Sequence, residues 1–297
     1  MTFPAPLLQT RQLGNLRIHA IQAGGQRLDG GAMFGVVPKV LWSRKIDADD
    51  RNRIQMGMRC LLIEHADGLV LIDTGAGNKE SSKFIDIYGM ELQADVPEQH
   101  ADDTALEAGL RTAGFTPDDV RIVINTHLHF DHAGGNTRRT PAGDVVPTFP
   151  KATYVVQAGE YEYATHTNER TSASYFPPNF EPVQHAGQLH LIDGDVEIVP
   201  GITARKTPGH VPHHQSLIIE SAGQRACFLG DVMPTTHHVP LAWIMGYDVE
   251  PLRTLESKRS LLRDATDEAW LMVFEHDAHH AWGEVAHDGK GYAYVDR

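Results

Sequence analysis

His127-Leu128-His129-Phe130-Asp131-His132 sets four metal-capable side chains within six residues, directly after the apolar run Val120-Arg121-Ile122-Val123-Ile124-Asn125-Thr126. The run reads as a strand that ends in a loop, so a rigid element would hold the imidazoles and the carboxylate close together. Chance is a weak explanation for four such groups at this spacing. Three further candidates occupy comparable places: His210 ends Thr207-Pro208-Gly209-His210, Asp231 ends Cys227-Phe228-Leu229-Gly230-Asp231, and His276 ends Val273-Phe274-Glu275-His276. Each follows or terminates a strand-like run. Imidazole nitrogen with carboxylate oxygen, and no thiolate, suits Zn²⁺ first, with Mn²⁺, Co²⁺ or Fe²⁺ as alternatives. Two divalent ions need a bridging carboxylate and roughly six or seven ligands in all. Seven candidates are present.

Composition narrows the partners. The chain has 297 residues, 41% of them hydrophobic, enough for a sizeable core. Its formal charge of -13 repels polyanions, so a nucleic-acid partner is not expected. The two cysteines, Cys60 and Cys227, both lie in apolar strand-like runs and read as buried free thiols. No basic-then-apolar leader opens the sequence and no run approaches the length of a membrane span, so a soluble cytoplasmic protein without a membrane partner is expected.

Short strand-like runs recur at Leu16 to Ala20, Arg59 to Glu64, Leu69 to Asp73, Val120 to Thr126, Thr153 to Val156, Leu189 to Ile192, Val196 to Val199, Ile202 to Lys206, Ser216 to Glu220, Arg225 to Leu229 and Trp270 to Phe274. Helical patterns cover Asp103 to Ala113, capped by Asp102 or Asp103 and closed by Gly114, then Ala158 to His166, and Leu252 to Ala269 behind Pro251. Helices separate the groups of strands, which favours a layered α/β architecture. No repeat or linker divides the chain, so residues 1–297 read as one domain. Two long irregular stretches, Asp29 to Gly57 and Gly77 to Asp102, have the length of lids or interfaces. The first reads as a lid or dimerisation segment.

The seven candidates in this order, together with the upstream turn Leu71-Ile72-Asp73-Thr74-Gly75, resemble the metallo-β-lactamase superfamily over about residues 58 to 280. The resemblance implies an αββα sandwich with a dinuclear site at one edge. His127, His129 and His210 would hold one metal, Asp131, His132 and His276 the other, and Asp231 would bridge them. Asp73 would orient a ligand, since ligating imidazoles need an acceptor on their second nitrogen. His214 resembles a supporting position of the family. Two metals would acidify a bridging water to hydroxide at neutral pH, and Asp131 would carry a proton to the leaving alkoxide as the catalytic residue.

Several branches of the family fit poorly. The zinc β-lactamases with a Cys ligand would need it where Asp231 stands, glyoxalase II enzymes append a helical region where 21 residues follow His276, and flavo-diiron proteins carry Glu where His129 stands. Met33-Phe34-Gly35-Val36-Val37-Pro38-Lys39-Val40-Leu41-Trp42 and Asp231 to His238, running on to Trp243-Ile244-Met245-Gly246-Tyr247-Asp248, are similar to segments of the quorum-quenching N-acyl homoserine lactonases. That resemblance implies opening of the lactone ring, with an organophosphate triester or aryl ester as the alternative substrate, and a homodimer. Met33, Phe34, Trp42 and Met245 would line an acyl pocket. Where one branch of these lactonases has a Tyr that hydrogen-bonds the substrate carbonyl, the correspondence falls on Phe180, which cannot donate. Either Tyr175 or His238 supplies the donor, or activation rests on metal alone.

Overall fold

In the strand Arg53–His65, Leu61 and Ile63 enter one core while Cys60 and Leu62 enter another, the two-residue alternation of a strand buried on both faces. The computed structural model describes residues 5–92, 94, 100 and 102–296; residues 1–4, 93, 95–99, 101 and 297, which include part of the second irregular stretch, lie outside the described residues. The first sheet contains β1 (Leu8–Leu13), β2 (Leu16–Asp29), β3 (Arg53–His65), β4 (Gly68–Ile72) and β5 (Val120–Ile124). Past a ribbon of β6 (Thr137–Arg139) and β7 (Val145–Pro147), β8 (Thr153–Gln157) and β9 (Leu189–Ile192) complete it. Pairing is antiparallel from β1 to β4 and parallel from β4 through β5 and β8 to β9.

The second sheet runs in order through β10 (Val196–Val199), β11 (Ile202–Lys206), β12 (Gln215–Ser221), β13 (Gln224–Phe228), β14 (Leu271–Val273), β15 (Trp282–His287) and β16 (Tyr292–Val295). Ile18, Leu61, Val70 and Ile124 of the first sheet pack against Ile202, Leu217, Phe228 and Val273 of the second. The outer face of the first sheet is covered by the helix Ala105–Thr112 through Leu106 and Leu110, and that of the second by the helix Pro251–Asp267 through Leu261, Leu262 and Ala265. The layers are helix, sheet, sheet, helix, the αββα sandwich that the resemblance implied. Cys60 and Cys227 are buried free thiols on the helix-facing sides.

Local differences from the sequence reading have physical causes. The helix at 105–112 is capped by Thr104, not by Asp102 or Asp103: its side chain accepts from Glu107 N at 3.2 Å, and the Glu107 carboxylate accepts from Thr104 N at 2.9 Å. The irregular stretch 29–57 shrinks because β2 and β3 stay paired as far as Asp29 opposite Arg53, and short helices fill Gly30–Phe34 and Lys39–Trp42. Strand β1 escaped notice because Gln9, Thr10, Arg11 and Gln12 give an edge strand no apolar alternation. Among the described residues, no helix is long and apolar enough to cross a membrane.

Candidate metal centre

Strands β4, β5, β11, β13 and β14 all end at one edge of the sandwich, and the chain just beyond each end carries Asp73, the run His127 to His132, His210, Asp231 and His276 respectively. The apolar strands fix the backbone while the short loops turn polar side chains to one place. All seven candidate ligands meet there, and all but His129 are buried. One group contains His127, His129, His210 and Asp231, and a second contains Asp131, His132 and His276. Asp231 lies between them: Oδ2 is 3.0 Å from His210 Nε2 and 3.9 Å from His127 Nε2, and Oδ1 is 3.0 Å from His276 Nε2. The second group closes around Asp131, with Oδ2 3.7 Å from His276 Nε2 and Oδ1 3.8 Å from His132 Nε2.

The remote ring nitrogens find acceptors of different kinds. His210 Nδ1 is 2.9 Å from Asp248 Oδ1, His276 Nδ1 is 2.7 Å from Gly57 O, and His127 Nδ1 is 3.1 Å from Thr126 Oγ1. His132 Nδ1 has carboxylate oxygens of Asp73 at 3.1 Å and Glu275 at 3.0 Å. Asp73 and, at 3.4 Å, Thr126 Oγ1 hydrogen-bond that nitrogen, whereas among the described residues both buried Glu275 oxygens are without a hydrogen bond. Asp73 also accepts from Thr126 N at 2.8 Å and from Thr126 Oγ1 at 2.7 Å, which joins the ends of β4 and β5. It adopts a left-handed φ of 54°, a conformation that a short polar side chain tolerates. His214 acts on the backbone: its Nε2 accepts from Asp231 N at 3.1 Å, and burial pulls its pKa down to about 3, which keeps it an acceptor. A Cβ on Gly230 would come within 2.6 Å of that nitrogen, so the glycine admits the contact.

The residues fit a pair of cations. Burial, reinforced by neighbouring imidazoles, holds His127 and His129 well below the usual histidine pKa, hence neutral with a free lone pair. Against the penalty of burial, His210, His276 and His132 hold Asp231 well below the carboxylate range, hence ionised. Among the described residues, His127 Nε2 and Asp231 Oδ1 are buried with no hydrogen-bond partner, although imidazoles and carboxylates surround both. The facing nitrogens of His210 and His129, and those of His276 and His132, are 3.1 Å apart. Zinc bonds of about 2.0–2.1 Å give a tetrahedron edge of roughly 3.4 Å, so these separations suit a shared cation.

The sequence profile of the Metallo-beta-lactamase superfamily matches residues 59–276. The chain belongs to that superfamily. An N-acyl homoserine lactonase AiiA of Bacillus thuringiensis subsp. kurstaki is 31% identical over 224 residues, covering 73% of this chain and 80% of the relative. A probable metal-dependent hydrolase from Staphylococcus aureus superposes with a TM-score of 0.86 at 32% identity over 97% of this chain and 99% of the other. A Bacillus thuringiensis AiiA variant with N-decanoyl-L-homoserine at its active site superposes with a TM-score of 0.65 at 26% identity, covering 90% and 94%. The metallo-beta-lactamase fold here is that of a hydrolase.

A cleft open to solvent reaches this hydrolase's His129, Asp131, His210, Asp231 and His276. Of the six residues expected to bind substrate, Met33 and Met245 line it, while Phe34, Trp42, Phe180 and His238 do not. Phe34 is sandwiched between Trp42, at 5.4 Å between ring centroids, and His238, at 5.0 Å, so the three form core behind the wall. His238 has both nitrogens engaged, Nε2 with Met33 O at 2.8 Å and Nδ1 with Thr235 Oγ1 at 2.7 Å. Phe180 packs with Leu128, Ala133 and Val211. Tyr175 directs its hydroxyl to Glu160 Oε1 at 2.8 Å, so neither suggested donor faces the cleft. Tyr88, Arg170 and Tyr247 do line it, together with Leu28, Phe130 and Val249. Asp248 and Gln26, whose Nε2 donates to Asp131 Oδ2 at 2.5 Å, also escaped the sequence reading. Asp248 stood at the end of a quoted run, but nothing local marked it as a partner of His210.

Proposed function

We propose that this chain is a dinuclear metal hydrolase that opens the lactone ring of N-acyl homoserine lactones. The observation that carries the reading is Asp231, one carboxylate between two groups of imidazoles at the floor of a cleft with apolar walls. His127, His129 and His210 would hold one ion, Asp131, His132 and His276 the other, and Asp231 would bridge. Zinc is the ion the donor set favours, with Mn²⁺, Co²⁺ and Fe²⁺ served by the same atoms. Two such ions, when bound, would supply Lewis-acid polarisation of the ester carbonyl and a water acidic enough to act as nucleophile at neutral pH.

The protein's own groups do the rest. Asp131 reaches the cleft and is held by Gln26, so it can accept a proton on the nucleophile's side and return it to the alkoxide that leaves when the ring opens. Leu28, Met33, Phe130, Met245 and Val249 offer apolar surface to an acyl chain. The identity to the curated lactonase relative supports the substrate class. Val36, Val40 and Leu41 are 92%, 66% and 46% exposed within six residues, and we assign this knob on the 29–57 segment to contact with a second copy in a homodimer. Light scattering on the eluting protein checks that assignment. The two buried thiols suit a reducing cytoplasm.

The decisive assay is acid release from a long-chain N-acyl homoserine lactone by zinc-replete protein, followed with a pH indicator beside a chelated control. A specificity constant above about 10⁴ M⁻¹s⁻¹, abolished by chelation, is expected of an evolved activity. A phosphotriester hydrolysed as fast as the lactone, or faster, sinks the lactone assignment and moves the same centre to triesters.

A further inference from the structure

Four of the five histidines in the two groups have a hydrogen-bond partner on the ring nitrogen remote from the cluster: Thr126 for His127, Asp73 for His132, Asp248 for His210 and Gly57 O for His276. His129 presents Nδ1 to the cluster, and among the described residues its other nitrogen has no such partner. A metal ligand that lacks this support must be oriented in another way. The Tyr175 ring stands against the His129 imidazole in a T-shaped contact, 4.6 Å between centroids at 65°. The Tyr175 hydroxyl donates to Glu160 Oε1 at 2.8 Å, and the same oxygen accepts from Leu128 N, the backbone amide between His127 and His129, at 2.9 Å. The chain beside Tyr175 closes the loop, for Phe130 N donates to Ser174 O at 2.9 Å.

We infer that Glu160, with Tyr175, is the positioning device for His129, fixing the backbone before the imidazole and the ring beside it. Glu160 is fully buried at the start of the helix Ala158–Thr165, and among the described residues its Oε2 has no hydrogen-bond partner. A carboxyl buried with an orphan oxygen is an expensive way to build a core; an apolar side chain would fill the space without that penalty. Its presence is explained by the two bonds it accepts, one from Leu128 N inside the His127-x-His129 turn and one from the Tyr175 hydroxyl, whose ring lies against His129. Burial pushes its pKa up to about 7 against those two bonds, so the glutamine amide closely mimics the group in its neutral form. The inference rests on the proposed metal site and names a residue that touches neither metal nor substrate.

The test is stepwise zinc affinity of the full-length protein, read by competition with a chromophoric chelator. Glu160→Ala should weaken one ion by about 10–100-fold, the range seen when the support of a ligand is removed, and leave the other unchanged. The weakened step should be the one that Asp248→Ala weakens. Glu160→Gln should restore most of the loss, because its amide oxygen still accepts from Leu128 N and the Tyr175 hydroxyl. Tyr175→Phe, which keeps the ring and deletes one bond, should weaken the same step by less, and it carries the test if Glu160→Ala does not fold. Wild-type constants in the variants, or equal weakening of both ions as from a general loosening, overturn the clamp while leaving the proposed function intact. A wild-type protein that binds no zinc overturns the proposed function and removes the clamp's purpose with it.

Discussion

The two groups that meet at Asp231 are supported in opposite ways. Around His127, His129 and His210 the supports are a hydroxyl, an aromatic ring and one carboxylate, Asp248, itself tied to Thr254 Oγ1 at 2.7 Å. Around His132 and His276 they are the Asp73 carboxylate and a backbone carbonyl, with Asp131 at the cleft and the buried Glu275 carboxyl, its pKa pushed well up by burial, 3.0 Å from His132 Nδ1. The first group therefore has one imidazole raised in pKa against the cost of burial, His210 beside Asp231 and Asp248, with His127 and His129 neutral, whereas the second has both of its imidazoles raised, His132 and His276. Against the cost of burial, Asp231, Glu275 and Asp131 lift the His276 pKa to about 9, whereas His127 and His129 are driven down. An ion entering the second group must displace protons from His132 and His276, whereas one entering the first meets a raised imidazole only at His210. Metal uptake at the second group should accordingly be the more pH-sensitive of the two.

Asp231→Ala removes the carboxylate that lies between the two groups and should have the largest effect. Both ions should be lost and lactone hydrolysis abolished, while far-UV circular dichroism keeps the αββα signature. Elemental analysis beside the rate assay checks it, and a variant that still carries two ions breaks the bridging role.

Asp131→Asn probes the second group alone. If Asp131 moves a proton as well as holding an ion, kcat should fall by about 10²–10⁴-fold with KM little changed and both ions retained. A fall in kcat that tracks loss of one ion would reduce Asp131 to a ligand.

Supports should separate the groups with less force. Asp248→Ala should cost about 10–100-fold in affinity for the ion at His210 and spare the other, and Asp73→Ala should do the reverse. Asp73→Ala should also lower the melting temperature, because it removes three hydrogen bonds where Asp248→Ala removes two. Equal losses at both ions from either change would erase the distinction between the groups.

What was legible in the sequence follows from the same contrast. His127 to His132 could be read because one loop after one strand places four groups together, and the spacing itself is the signal. His210, Asp231 and His276 came from strand ends, and the sheet order brings strand ends together. The layered fold followed from alternating apolar runs, whereas β15 and β16 escaped because Trp282–His287 carries Gly283, Glu284 and His287 among its apolar residues and Tyr292–Val295 is only four residues long. Supports from distant chain positions, such as Asp248, Glu160 and Gln26, left no local trace. Phe34, Trp42 and His238 looked like pocket residues because they are large and occupy runs similar to lactonase segments. Only the packed arrangement shows that they buttress the wall from behind.

The smallest expected effect concerns the scaffold behind the first group. Lys258, fully buried on the helix that follows Asp248, donates to Pro240 O at 2.9 Å and Trp243 O at 2.7 Å, pinning the segment that leads to Met245 on the cleft wall. Burial pushes its pKa down to about 7 against the attraction of Asp248. The unfolded chain keeps the proton up to its ordinary pKa near 10.5, so between about pH 7 and 10.5 the unfolded state binds more protons than the folded one, and folding stability rises with pH. Below pH 7 both states are protonated and the cost of burying the charge is present in full. Lys258→Met removes this titration and both bonds, although Pro240 O still accepts from Trp243 N at 3.0 Å, so the loss is at most about 1–3 kcal/mol for the Trp243 carbonyl. The stability of wild type relative to Lys258→Met should therefore grow from pH 7 to pH 9, by no more than about 1.4 kcal/mol per pH unit. Denaturant titrations of both proteins without metal measure the difference directly. A gap that stays flat across that range would mean that the carbonyl cage keeps Lys258 charged, and that the first group's scaffold is anchored by an ammonium after all.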